Sequence, residues 1–103
     1  MDKLQRKLIQ EVEKIANVRC KSSPVAGGYA LFYCGHEFAR FHSAREMDIR
    51  LGKKQIQALG LVAPNDSVVH PNRSLSSPWI ELRYQNTKQV MRIVELVKLA
   101  VTK

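Results

Sequence analysis

Arginine, histidine and acidic residues recur at two-residue spacing in three short segments of this chain. The couples are Arg40 with His42, Asp48 with Arg50, and Glu81 with Arg83, the last preceded by Trp79. Successive side chains of a β-strand point to opposite faces, so each couple shares one face if its segment is extended. Guanidinium groups present a planar fork suited to phosphate or carboxylate. Histidine titrates near neutrality and can carry a proton, and an aspartate beside it can orient the ring. Trp79 offers an indole on which a base or another ligand could stack. His70 and Arg73 add a further imidazole and guanidinium from a segment rich in proline and serine. The candidate ligand-binding set is therefore Arg40, His42, Asp48, Arg50, His70, Arg73, Trp79 and Arg83. The same residues would also make an exposed ladder of ion pairs, each contributing little. A lone tryptophan in a small domain more often fills the edge of the core than a binding surface, and His70 could serve only to hold its own loop together.

The elements that must position these groups follow from hydrophobic periodicity. Asp2–Ala16 carries Leu4, Leu8, Ile9, Val12 and Ile15 at three- and four-residue spacings, which predicts a helix with one apolar stripe. Val18–Ser22 reads as a short edge strand, Ala26-Gly27-Gly28 as a turn, and Tyr29–Tyr33 as an apolar strand ended by Cys34-Gly35. In His36–His42 the alternation is impure. Glu37 shares parity with Phe41, while Phe38 shares it with Arg40 and His42, so a bulge or a strand end is needed to reconcile Glu37. Ser43–Glu46 is the hairpin connection. Met47–Leu51 alternates most cleanly, with Met47, Ile49 and Leu51 inward and Asp48 and Arg50 outward.

Lys53–Leu59 is a short helix stopped by Gly60. Leu61–Pro78 is mostly loop with one extended stretch, Ser67–His70, and loops of this length tend to be functional. Trp79–Tyr84 is the last strand, and Thr87–Val101 is an amphipathic helix with Thr87 as its N-cap. The expected class is α+β: a two-layer sandwich in which an antiparallel sheet of about four to five strands carries the N- and C-terminal helices on one face.

The 103 residues suffice for a single domain, 1–103, with one modest core. No apolar run approaches the roughly 20 residues of a membrane helix, and the charged first segment does not read as a signal peptide. A cytoplasmic protein without membrane attachment is expected. The 17 basic and nine acidic residues leave a formal net charge of +8, a field that attracts anionic partners. The basic residues are scattered rather than gathered into a tail. Cys20 and Cys34 match no zinc or redox spacing and read as free thiols, with Cys34 expected to be buried and inert. The chain has no HExxH, nucleophile elbow, phosphate loop or dinucleotide fingerprint. No metal and no cofactor are expected.

From Glu37 onward the chain resembles the bacterial luciferase-like domain family. The likeness rests on Glu37-Phe38-Ala39-Arg40-Phe41-His42, Asp48-Ile49-Arg50-Leu51, the helix ending at Gly60, His70-Pro71, Ser77-Pro78-Trp79-Ile80 and the final amphipathic helix. Where family members commonly have glycine-tryptophan, this chain has Pro78-Trp79. The resemblance implies the same α+β architecture and a surface shared by His42, Asp48, Arg50, His70 and Trp79. It implies no catalytic assignment, since the family's activity is not established. The order of elements is also similar, more weakly, to the YjbR-like proteins and their frataxin-like fold.

Three functions fit these residues. The first is a non-catalytic module binding an anionic small molecule or an acidic protein segment through Arg40, Arg50, Arg83 and the His70–Pro78 loop. The second is non-specific nucleic-acid binding, motivated by the net charge and Trp79. The third is a small enzyme using His42 or His70 with Asp48, ranked last because no nucleophile motif accompanies them. A homodimer through the polar face is a further expectation, because parity places Phe38 or Trp79 among its charges.

Overall fold

One face of the sheet is apolar at every strand, and pairing joins those residues into a continuous row. Cys20, Leu31, Ala39, Ile49 and Ile80 lie opposite one another in turn across five antiparallel strands. The structure is a computed structural model that describes residues 2–23, 28–64, 66 and 76–102. Its elements are α1 (Lys3–Val12), β1 (Val18–Ser23), β2 (Gly28–Tyr33), β3 (His36–Ser43), β4 (Glu46–Arg50), α2 (Lys53–Ala58), β5 (Trp79–Arg83) and α3 (Thr87–Val101). The sheet order follows the chain, β1 to β5, a plain meander. Helices α1 and α3 pack on each other and against the apolar face, giving the two-layer α+β sandwich. The expected turn at Ala26-Gly27 and the extended stretch Ser67–His70 lie outside the described residues.

The core forms because both helices carry their stripes inward. Leu8 and Val12 of α1 and Val90 and Val97 of α3 are fully buried against Leu31, Met47 and Ile49 of the sheet. Each such side chain contributes about 1.5–3 kcal/mol by leaving water. Helix α1 ends at Val12, short of the expected Ala16. The chain must turn back into β1, and it does so through tight turns (Ile15 N–H to Val12 O, Val18 N–H to Ile15 O) with Asn17 at a φ of 68°. The N-cap of α3 is Asn86 rather than Thr87, since the Asn86 side chain accepts from the Gln89 N–H. Helix α2 closes as expected: Gly60, at a φ of 65°, donates to Gln57 O while Leu61 donates to Ile56 O.

Two irregularities in β3 matter for everything polar. Leu31 faces Ala39 but Phe32 faces Glu37, so Phe38 is an extra residue; Phe41 faces Met47 but Ser43 faces Glu46, so His42 is another. A bulge shifts parity by one and re-aims the neighbouring side chains. The first one answers the Glu37 conflict and leaves Phe38 buried in the hydrophobic core. Phe38 is therefore not an aromatic exposed among the charges, and of the two aromatics behind the homodimer expectation only Trp79 stays on the polar face. The Cys34-Gly35 hairpin loop has positive φ at both residues, as a two-residue turn of type I′ requires.

The open edge at β1 is blunted by local groups. The Cys20 N–H donates to a Glu13 carboxylate oxygen, and the Arg19 guanidinium donates to Val18 O. An edge so occupied is a poor template for another strand. At the opposite end, the β3–β4 turn is clamped. Tyr84, fully buried, donates its hydroxyl to Ala44 O, and Arg45 reaches Asp2, the N-cap of α1. Burial pushes the Tyr84 phenol above its ordinary value of 10.0, with Asp2 adding to the rise. A raised acid is protonated longer in the folded state, so its contribution is complete below pH 10.0 and fades as pH rises through the folded value. Tyr84→Phe should cost about 1–3 kcal/mol at neutral pH, by leaving Ala44 O short of a donor. Urea unfolding above pH 10 should show the wild type losing this advantage while the variant changes less.

Candidate functional site

The face away from the helices carries two transverse rows of polar side chains. One runs Lys21, Ala30, Arg40, Asp48, Glu81 from β1 to β5. The second begins Arg19, Phe32, Glu37 and ends Arg50, Trp79, with Arg50 one residue beyond the Ala39–Ile49 pair. Both rows are positioned by the apolar register of the opposite face. A slip of one residue would exchange the two faces, so the core enforces the polar order as well.

Asp48 and Glu81 sit directly opposite each other, and each is only 2% exposed. The expectation of an openly solvated ionic face is thus corrected at its centre: these carboxylates are buried. Like charges facing across two strands repel, and the fold sets an imidazole against one and a guanidinium against the other. His42 is aimed by its bulge so that Nε2 lies 3.2 Å from Asp48 Oδ2. Arg83 stands 3.6 Å from Glu81, 3.1 Å from Glu46 and 2.9 Å from Asp66. Desolvation works against the Arg83 charge, but Asp66, Glu46 and Glu81 outweigh it and raise the guanidinium above its ordinary value. Asp66 belongs to the α2–β5 connection, so that connection reaches the far end of β5 before the chain returns to Trp79.

Arg40 donates to the Glu37 carboxylate and places its guanidinium carbon 5.1 Å from the centre of the Trp79 ring. That is within cation–π range. Trp79 is half-buried at the start of β5, on the polar side as its parity predicted. Arg50 is exposed beside it and forms no ion pair among the described residues. Of the expected site residues, Arg40, His42, Asp48, Arg50, Trp79 and Arg83 therefore share one face, while His70 and Arg73 lie outside the described residues.

Three residues missed by the sequence reading share that face: Arg19, Lys21 and Phe32. Lys21 holds its ammonium 5.7 Å from the Phe32 ring centre. The signal was the two-residue spacing of Arg19 and Lys21, but only the β1–β2 register could show that they join the same face as Arg40. The partners Glu37, Glu46 and Asp66 were likewise invisible as partners, because each meets its arginine through a bulge, a neighbouring strand or a returning loop.

A cleft of about 370 Å³ lined by Arg45, Glu46, Asp66, Arg83 and Gln85 holds arginines already matched by carboxylates. A second, of about 280 Å³, lies between Tyr33, Cys34, His36, Glu37, Arg50 and the end of α3. Among the described residues no cluster of three His, Cys, Asp or Glu side chains could hold a metal ion, and no helix is long and apolar enough to cross a membrane. Both cysteines are free. Cys34 is exposed at its hairpin turn, which corrects the expectation that it is buried; Cys20 is half-buried, and burial with the nearby Glu13 pushes its thiol to about 11. Comparison with known proteins found no matching family model, no matching curated protein and no matching solved structure.

Two measurements probe this description. His42→Ala removes one partner from a buried carboxylate and should destabilise the fold by about 1–3 kcal/mol in urea unfolding, whereas His36→Ala, at an exposed site, should stay within about 0.5 kcal/mol. Alkylation of the native protein at neutral pH, read by peptide mass spectrometry, should label Cys34 well before Cys20.

Proposed function

We propose that the protein binds nucleic acid without reading its sequence. One observation carries the proposal: every carboxylate in the chain has a described partner, while many of its cations have none. Asp2, Glu11, Glu37, Glu46, Asp66, Glu81 and Glu95 pair with lysine or arginine, Asp48 with His42, and Glu13 with the Cys20 backbone. Arg19, Lys21, Arg50, Lys53, Lys54, Lys88 and Arg92 have no carboxylate partner among the described residues. The excess charge is therefore a field of separate cations spread over the surface. A compact anion asks for converging cations, whereas a polyanion satisfies many at once and gains by releasing its condensed counterions.

The reading as a receptor for a small anion or an acidic peptide comes second. It relied on Arg40, Arg50, Arg83 and the His70–Pro78 loop; Arg40 and Arg83 already hold Glu37 and three carboxylates respectively, which leaves Arg50 as the one of these arginines without an ion pair among the described residues. Catalysis through His42 and Asp48 has only their proximity in its favour.

Fluorescence anisotropy with labelled DNA and RNA tests the proposal. Contact of three phosphates, one each by Arg19, Lys21 and Arg50, should weaken binding by roughly 20-fold between about 50 and about 200 mM salt. Absence of binding at the lower salt, or tighter binding to nucleotides and phosphosugars in thermal-shift assays, would return the small-anion reading to first place.

A further inference from the structure

Resting on the nucleic-acid reading, we infer that the occupant is a single strand and that it lies across the polar face along the row Arg19, Phe32, Glu37, Arg50, Trp79. This row crosses all five strands and alternates in kind: a cation, an aromatic ring, an acid, a cation, an aromatic ring. The acid is neutralised in place, since Glu37 is ion-paired with Arg40 from the adjoining row. What the row presents outward is therefore two couples of one guanidinium with one aromatic group, Arg19 beside Phe32 and Arg50 beside Trp79.

Each couple has the parts that hold one nucleotide of a strand: a fork for a phosphate and a flat surface for a base. Both rings already attract cations, Lys21 at Phe32 and Arg40 at Trp79. Arg40 lies over the Trp79 ring, so a base seated on that side stacks on its guanidinium, as bases do on arginine planes as well as on rings.

The spacing selects the strandedness. Phe32 on β2 and Trp79 on β5 are three strand separations apart, roughly 14 Å at about 4.8 Å each. Stacked bases in a duplex follow one another at about 3.4 Å. A duplex keeps its bases stacked and turned inward, so it cannot lay two of them on platforms this far apart. An unstacked single strand can splay bases outward and let its backbone follow Arg19 and Arg50. Stacking of this kind tolerates any base.

Trp79 is the only tryptophan in the chain, so its emission reports on one end of the row. The experiment titrates the full-length protein with a thymidylate oligomer of about 12 nucleotides, within the range that one small fold covers, and in parallel with the corresponding duplex. Anisotropy of the labelled oligomer gives affinity, and intrinsic emission gives contact at Trp79. The expected result is quenching of Trp79 by the single strand and about tenfold tighter binding to it than to the duplex. Phe32→Leu should weaken single-strand binding by about tenfold while leaving the salt slope unchanged, and Arg19→Gln should reduce that slope by about 0.7. Binding that is equal for duplex and single strand, with Trp79 emission unmoved, would overturn this seat while leaving nucleic-acid binding intact. Failure of both oligomers to bind at low salt would remove the underlying reading as well. The wild-type emission measurement stands even if Phe32→Leu does not fold.

Discussion

The register that sets Cys20, Leu31, Ala39, Ile49 and Ile80 side by side governs the remainder of this molecule. With two helices pressed on that row, a shift of any strand by one residue would turn apolar groups to water and charges into the core. The polar face is thus held in order by a hydrophobic constraint on the other side of the sheet. It places Arg40, Asp48 and Glu81 in line although nothing in their mutual electrostatics would choose a line containing two adjacent carboxylates.

That juxtaposition in turn explains the ionic pattern around it. Two buried carboxylates on neighbouring strands are tolerated only when cationic or hydrogen-bonding groups stand against them. The bulge at His42 brings an imidazole to Asp48, and Arg83 gathers Glu46, Asp66 and Glu81 around a single guanidinium. The consequence is a division of labour across the sheet. Toward β4 and β5 the charges are engaged with one another and hold the fold, including the connection that carries Asp66. Toward β1 and β2, Arg19 and Lys21 have no acidic partner among the described residues and flank an aromatic ring. Arg50 and Trp79 extend that outward-looking character to the other edge.

The two bulges of β3 show how a small departure from regular pairing can serve both core and surface. One admits Phe38 to the hydrophobic cluster while keeping Glu37 within reach of Arg40; the other turns His42 toward Asp48. Without the first, Glu37 would point toward the apolar side and Arg40 would lose its carboxylate. Arg40 then lies over Trp79, tying β3 to β5 across the intervening strand.

Much of the architecture was determined by the sequence itself, because periodicity is a local property. The three- and four-residue spacings in the terminal segments, the strict alternation of Met47–Leu51, and the turn residues at Cys34-Gly35 and Gly60 each act within a few positions. They sufficed for the α+β class, for the membership of Arg40, His42, Asp48, Arg50, Trp79 and Arg83 on one face, and for the conflict at Glu37 that called for a bulge. Local pattern could not say how deep a strand residue lies, so Asp48 read as solvated and Cys34 as buried, each opposite to its place in the fold. Nor could it show which charges meet. Arg83 finds Glu46 through strand pairing and Asp66 through a returning loop, while Arg19, Lys21 and Phe32 join the polar face only through the register of β1 with β2. Those are contacts between distant parts of the chain, and they are decided by the packing of the whole sheet on its helices rather than by any segment alone.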